Sequence, residues 1–140
     1  MIVKSKVQQT AGVTLHRALI AMTISCGGFI AWILYMANTD QDTLFFSLAR
    51  NLPHGDKISH ITLFGFFTLL LNLSTRCKTL AIYNGSCYLG TLSVWVFVTL
   101  EEMSQSFFPS RTVDLVDYAA SLIGIVLFSF LSWLINRRNS

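Results

Sequence analysis

Charged side chains are scarce in this sequence. Asp, Glu, Lys and Arg together make up 12% of the 140 residues, whereas hydrophobic residues make up 53%. A soluble domain usually carries roughly twice that charged share. The mean hydropathy is +0.57, and the chain has the length of about one domain. The composition therefore argues against a water-soluble domain and favours a protein whose solvent is lipid.

Cysteine and clustered basic residues are also limited. The three cysteines form no CxxC pair and no Cys/His spacing, which argues against a zinc site and against a complete set of disulfides. The net charge is +3, but the bases stand at the ends of apolar runs, with no basic helix and no interleaved aromatic residues. Nucleic-acid binding is therefore not predicted.

Four apolar windows are long enough to cross a bilayer, which takes about 20 residues each. They cover residues 17–36, 58–74, 80–100 and 113–135. The first window exceeds the roughly 7–15 apolar residues of a signal peptide, and no A-x-A cleavage site follows it, so a retained anchor is expected. Because the backbone must satisfy its own hydrogen bonds in lipid, each window predicts a helix. We expect an all-α integral membrane bundle of four transmembrane helices.

The charges divide unequally between the two sides of this predicted bundle. Seven bases and no acids lie on the side of the chain termini: Lys4, Lys6, Arg17, Arg76, Lys78, Arg137 and Arg138. The other side has three bases, Arg50, Lys57 and Arg111, and all seven acids. The positive-inside rule therefore places both termini in the cytoplasm. The predicted domains are an N-terminal tail (1–16), a membrane domain (17–136) and a C-terminal tail (137–140).

A short amphipathic helix is predicted between the first two spans. Apolar residues recur there at helical spacing, at Phe45, Leu48, Ala49 and Leu52. Asp40 or Asp42 is expected to cap its start, and Pro53 and Gly55 are expected to end it. The helix is expected to lie on the outer surface, either as a plain connector or as a lid over a site.

The fourth span begins with two acids. Asp114 falls in the predicted first turn, where the helix dipole favours negative charge. Asp117 lies about one turn deeper, where a charge is costly unless it faces protein or water. Ser121 and Gly124 follow Asp117 at i+4 and i+7, and a stripe of small residues lets another helix approach closely. We therefore expect Asp117 to point into the bundle.

The second and third spans have matching polar ends. Asp56 and Lys57 precede His60 by four and three residues, and Glu102 precedes Gln105 by three, so each set shares one helical face. We expect a polar cluster at the extracytoplasmic end, formed by Asp56, Lys57, His60, Glu102, Gln105, Arg111 and Asp117. It is either a structural network of ion pairs or a ligand-binding or catalytic site.

The residue types suggest roles in such a site. His60 is the natural proton carrier, Glu102 would be a base if burial raised its pKa, and Arg111 is suited to clamp a phosphate or carboxylate. A metal held by Asp56, His60, Glu102 and Asp117 is conceivable, but two neighbouring bases argue against it. No metal and no cofactor are predicted.

Two segments resemble the VanZ-like family of small membrane proteins: DKISHITLFGFFTLL (56–70) and EEMSQSFFPSRTVDLVDYAASLIG (101–124). The family pattern is matched at Asp56, Lys57, His60, Glu102, Gln105, Arg111, Asp117 and Gly124. Ser121 stands where the family usually has Asn, so a hydrogen bond from that amide is in doubt here. The resemblance spans about residues 30–130. It implies a multi-pass protein of the bacterial cytoplasmic membrane, in a family linked to resistance to the glycopeptide teicoplanin.

Two functions from different classes follow from these expectations. In the first, the site binds a lipid head group or a lipid-linked envelope precursor, through Asp56, Lys57, Gln105, Arg111, Asp117 and Ser121. In the second, a small intramembrane hydrolase or transferase acts on a lipid-linked substrate, with His60 and Glu102 as its acid/base pair. A transporter is disfavoured because no inverted repeat is evident. The expected partners are membrane lipids, and the sequence does not specify an oligomeric state.

The predicted orientation can be tested by cysteine labelling. In a variant with all three cysteines replaced by serine, Gln41→Cys should react with a membrane-impermeant maleimide on intact cells. Lys78→Cys should react only after the membrane is permeabilised, because its loop is predicted to be cytoplasmic. The reverse labelling pattern would refute the orientation.

Overall fold

The computed structural model describes residues 2–83, 85–108 and 111–139; their side chains are described from residue 12 onward, except those of residues 50 and 139. The chain is mostly helical. Its long helices are α1 (Ile2–Asn38), α3 (Gly55–Ser74), α4 (Leu89–Ser104) and α5 (Leu115–Asn139). A short helix, α2 (Leu44–Asn51), connects α1 to α3, and a single 3-10 turn, Gln105–Phe107, extends α4.

Helix α3 is the centre of the bundle. It contacts α1, α2, α4 and α5, and its contact with α5 is the most extensive in the fold. The core contains a buried side chain from each long helix: Ile30, Phe64, Val94, Val98 and Ile125. Interior packing of this kind fixes the helices at close range and tolerates little change of volume.

Among the residues that the structure describes, three helices are long and apolar enough to cross a membrane: Gly12–Asn38, Gly55–Ser74 and Leu115–Arg138. They correspond to the first, second and fourth predicted spans. Large apolar side chains, among them Trp32, Phe66 and Phe130, are exposed on their outer surfaces. An outward-facing apolar surface of this extent is typical of a protein that contacts lipid.

The terminal helices extend beyond the predicted membrane domain. Helix α1 begins at Ile2, so most of the segment predicted as a tail (1–16) is helical, and α5 continues to Asn139 through most of the predicted C-terminal tail. Apolar periodicity did not reveal this, because a helix can continue through polar residues once its first turns have formed.

The third predicted span, residues 80–100, is wrong as a single helix. Its first part forms a two-stranded antiparallel hairpin, β1 (Thr79–Ile82) paired with β2 (Gly85–Tyr88), in which Ile82 is opposite Gly85. Only then does α4 begin, and its 16 residues measure about 24 Å. The sequence signal is the run Asn84-Gly85-Ser86, since Asn, Gly and Ser are turn-forming residues that interrupt an apolar segment. Tyr83 already has the positive φ of such a turn, 49°.

A short helix, α2, does lie between the first two predicted spans, but its predicted cap is wrong. Thr43 is the N-cap, because its hydroxyl oxygen accepts a hydrogen bond from the Phe46 backbone N–H at 3.3 Å. Asp40 instead closes α1, with φ at 55°. Gly55 does not end α2 but starts α3, where a side chain would collide with the Ala49 carbonyl. The absence of a side chain therefore lets α3 begin directly against α2.

Two glycines allow the backbones of α3 and α5 to touch. A Cβ atom on Gly124 would collide with the Ile61 backbone, and one on Gly65 would collide with the Phe128 ring. The small-residue stripe that begins at Asp117 therefore does admit a neighbouring helix closely, as predicted. At one end of this contact, the first turns of α3 and α5 are brought face to face.

A second polar cluster joins three helices at the opposite end of the bundle. Asn72 is fully buried, and its amide nitrogen donates to the hydroxyls of Thr91 and Ser132, at 3.0 and 3.2 Å. Its amide oxygen accepts the Thr91 backbone N–H at 3.0 Å, which satisfies a free donor in the first turn of α4. Asn72 thus fastens α3 to both α4 and α5.

The close contact of α3 and α5 predicts a large difference between two glycine substitutions. Gly124→Ala should lower the free energy of unfolding by about 1–3 kcal/mol, because the new methyl group must push the helices apart. Gly28→Ala is the matched control, since nothing lies within 4 Å of its Cβ position. Denaturation of both purified variants in mixed detergent micelles measures the difference, and equal stability would contradict the proposed contact.

Candidate functional site

Lys57 connects the first turn of α3 to the start of α5. Its Nζ lies 2.5 Å from Asp56 Oδ2, 2.7 Å from Asp117 Oδ1 and 3.4 Å from Asp114 Oδ2. The contact with Asp117 is an ion pair without well-directed hydrogen-bond geometry. Three carboxylates around one ammonium group hold Lys57 in its charged form and compensate for its partial removal from water.

His60 lies one turn further along α3 and faces α5. Its Nδ1 is 3.0 Å from Ser121 Oγ, and the Ser121 hydroxyl donates to the Asp117 carbonyl at 3.0 Å. Because that hydroxyl has only one hydrogen, Nδ1–H of the imidazole is the donor in the first contact. The neutral ring then presents Nε2 as an acceptor, 3.8 Å from Asp117 Oδ2.

The end of α4 carries three buried polar side chains. Gln105 donates from Nε2 to Glu101 Oε1 at 3.1 Å and to Glu102 Oε2 at 3.2 Å. Glu102 Oε1 accepts the Asp114 backbone N–H at 2.7 Å, and Glu101 Oε1 lies 3.4 Å from Arg111 Nη2. These bonds hold the segment before α5 against the end of α4.

Asp114 directly precedes α5 and acts as its cap. Its Oδ1 accepts the Val116 backbone N–H at 2.8 Å, which satisfies one of the free donors at the helix start. That hydrogen bond, assisted by the nearby charge of Lys57, lowers the pKa of the Asp114 carboxyl. Asp114 is therefore a carboxylate throughout the neutral range and is always available to Lys57.

An open cavity of about 510 Å³ lies beside this network, between α1, α2, α3 and the start of α5. Its apolar wall is formed by Ile33, Leu34, Phe45, Phe46, Leu63 and Phe64. Its polar end is formed by Asp40, Gln41, Asp42, Asp56, Ser59, His60, Gln105, Arg111, Thr112, Asp114 and Asp117. A site of this size, with one apolar and one polar end, suits an amphiphilic small molecule.

Helix α2 covers one side of the cavity. Phe45 and Phe46 of α2 line the cavity. The Phe45 ring meets the Phe29 ring of α1 edge-on, with centroids 6.0 Å apart. The apolar face of α2 that was predicted to lie along a membrane surface is thus partly turned towards the protein.

The structure brings the predicted site residues to one end of the bundle. Five of them line the cavity and three lie behind its lining. Asp56, His60, Gln105, Arg111 and Asp117 line the cavity. The described side chains of Lys57, Glu102 and Ser121 lie behind that lining, and each bonds to a neighbouring residue of the network. No set of three or more His, Cys, Asp or Glu side chains within the described ranges is arranged to hold a metal ion.

Glu101 is a member of the site that the sequence did not single out. It is buried, and its Oε1 makes the contact with Arg111. The i, i+4 spacing from Glu101 to Gln105 was the available signal, and it was as good as the i, i+3 spacing from Glu102.

No protein-family model matches the chain, and no curated protein or solved structure matches it either.

The network around Lys57 predicts unequal effects of two substitutions. Lys57→Met should reduce the free energy of unfolding by about 1–3 kcal/mol, because three carboxylates lose their common cation. Asp56→Asn is the control. Its side chain is 56% exposed, so its loss should change stability by less than about 1 kcal/mol.

Thermal unfolding in detergent compares the two variants with the wild type. The double variant Lys57→Met/Asp117→Leu should recover part of the loss, since it leaves fewer carboxylates without a counter-charge. If Lys57→Met is as stable as the wild type, the ammonium group is not the centre of the network.

Proposed function

We propose that the chain is a VanZ-like protein of the bacterial cytoplasmic membrane that binds the head group of a lipid or lipid-linked envelope precursor in this cavity. In this proposal both termini lie in the cytoplasm and the cavity lies at the extracytoplasmic face. The proposal rests on one observation: a cavity of about 510 Å³ with an apolar wall and a polar end, in a bundle whose outer surface is apolar.

The wall of the cavity supports an amphiphilic ligand. Leu34 and Phe64 come from helices long enough to span a membrane, whereas Asp56 and Asp117 stand at helix starts, at the polar end. A lipid oriented along the bundle would place its chain beside the first pair and its head group beside the second.

The orientation is supported by the distribution of charge. The segments that surround the cavity contain all seven acids of the chain, while seven of the ten bases lie towards the other end. Bases that flank membrane spans are retained on the cytoplasmic side. The cavity end is therefore assigned to the outside.

Binding is favoured over catalysis by the position of Glu102. Its Oε1 accepts the Asp114 backbone N–H, and its Oε2 accepts from Gln105. A carboxylate with both oxygens engaged in holding a loop is poorly placed to exchange protons with a substrate. His60 is then a hydrogen-bonding residue of the cavity, because Glu102, its predicted acid/base partner, is occupied by other contacts.

A cavity-filling substitution tests the proposed function. Ala37 lines the cavity from the last turn of α1, so Ala37→Phe should occupy space that a ligand needs. We expect the purified variant to retain several-fold less of any lipid that stays with the wild type, as measured by mass spectrometry of the extracted protein.

Ala31→Phe is the matched control for this experiment. Ala31 belongs to the same helix, and it is exposed on the outer surface, so the added ring should meet lipid and leave the cavity unchanged. Loss of the same lipids from both variants, or from neither, would argue against the cavity as the binding site.

A further inference from the structure

The cavity end of the molecule carries a large excess of negative charge. Seven acids lie in the segments around it, Asp40, Asp42, Asp56, Glu101, Glu102, Asp114 and Asp117, against Lys57 and Arg111 among the described side chains. Even when Arg50 is counted from the sequence, acids outnumber bases seven to three. An anionic head group would therefore approach a site of its own sign, which is unfavourable at low dielectric.

Both described bases are already engaged by groups of the protein. Lys57 contacts three carboxylates. Arg111 contacts Glu101 at 3.4 Å, and its Nη1 donates to Asn38 Oδ1 at 3.5 Å. To bind a phosphate, Lys57 would have to leave acids behind without their counter-charge, and an anion at Arg111 would share the guanidinium with Glu101. The anion contacts expected from the sequence are thus in competition with acids of the protein.

The polar groups that line the cavity are mainly acceptors. Gln105 is only 4% exposed, and all three described bonds of its amide nitrogen go to glutamates, so the amide oxygen is the atom left to the cavity. His60 presents Nε2 as an acceptor. The one hydroxyl of Ser59 donates to the Gly55 carbonyl at 2.7 Å. A lining of this kind calls for a ligand that donates hydrogen bonds.

The opposite wall requires the same ligand to have an apolar part. Leu34, Leu63, Phe45 and Phe64 offer no charged group, and a free small cation would leave that wall in contact with water. The polar end of the cavity therefore suits the polar part of a ligand, and the apolar wall suits the hydrocarbon part of the same molecule.

From these observations we infer that the cavity takes an amphiphile whose polar end carries a protonated amine. This rests on the proposed function and narrows it: the head group is a cationic donor, not a bare phosphate. The ammonium group lies among Asp56, Asp117 and Gln105, and the hydrocarbon part lies against α2.

Three probes with the same ten-carbon chain test this inference: decylamine, decyl phosphate and decyl glucoside. Each is titrated into the full-length protein in nanodiscs of phosphatidylcholine, and its dissociation constant is measured by native mass spectrometry. The Ala37→Phe variant in the same nanodiscs gives the background of partitioning into lipid. Above this background, decylamine should bind at least about tenfold more tightly than decyl phosphate, the value of one charge-assisted hydrogen bond.

The double variant Asp40→Asn/Asp56→Asn should reduce that preference about tenfold. Both side chains are at the exposed rim, and Asn tolerates the positive φ of residue 40, so the variant should fold; its thermal unfolding is checked first. The double variant Lys78→Gln/Arg138→Gln is the matched control, because it also changes two exposed charges but lies at the opposite end. It should leave the preference for decylamine unchanged.

The outcomes separate this inference from the proposed function. If decyl phosphate binds as tightly as decylamine or more tightly, and Ala37→Phe still blocks it, the cavity binds amphiphiles but the inference is overturned. Propylamine, which has the amine without the long chain, is a fourth probe. If it binds as tightly as decylamine, the ligand is a soluble amine and the inference that the ligand is amphiphilic is overturned. If no probe distinguishes the wild type from Ala37→Phe, the proposed function fails as well.

Discussion

The contact between the backbones of α3 and α5 is the constraint on which the rest of the structure depends. Gly65 and Gly124 remove the side chains that would keep these helices apart. As a result, Lys57 and His60 at the start of α3 lie within bonding distance of Asp117 and Ser121 at the start of α5. The polar network therefore follows from an apolar packing feature about one to two turns further along each helix.

The network is arranged in two layers that share the segment before α5. One layer is centred on Lys57 and its three carboxylates. The other is centred on Gln105 and the two glutamates of α4. The Asp114 backbone N–H, held by Glu102, links the layers. Because each buried charge has a partner, the layers stabilise the cavity wall without a hydrophobic core at that end.

Much of this site follows from the sequence, since helical spacing alone assigns His60, Gln105 and Asp117 to the same end of the bundle. The sequence does not show which of two adjacent residues on a helix faces a given partner. Glu101 and Glu102 are adjacent, and only packing decides that the first meets Arg111 while the second meets the Asp114 backbone. Asn72 was not predicted either, because its partners Thr91 and Ser132 are 19 and 60 residues away.

The error in the third span has a different origin. A hydropathy average treats residues 80–100 as one apolar run, because it contains no information on which residues favour turns. The turn-forming residues Asn84, Gly85 and Ser86 interrupt that run and favour a hairpin, and this local turn preference overrode the apolar average. The averaged hydropathy of the window was therefore the signal that failed.

The short length of α4 has a consequence for the surrounding bilayer. Its 16 residues reach about 24 Å, while the hydrocarbon layer is about 30 Å thick, and the open backbone edges of the hairpin that precedes it resist entry into hydrocarbon. In a bilayer, lipids on this flank would have to shorten to meet it. Hydrophobic mismatch of this kind costs fractions of a kcal/mol per ångström, so a bilayer around this bundle would be thinner beside α4 than beside the longer helices.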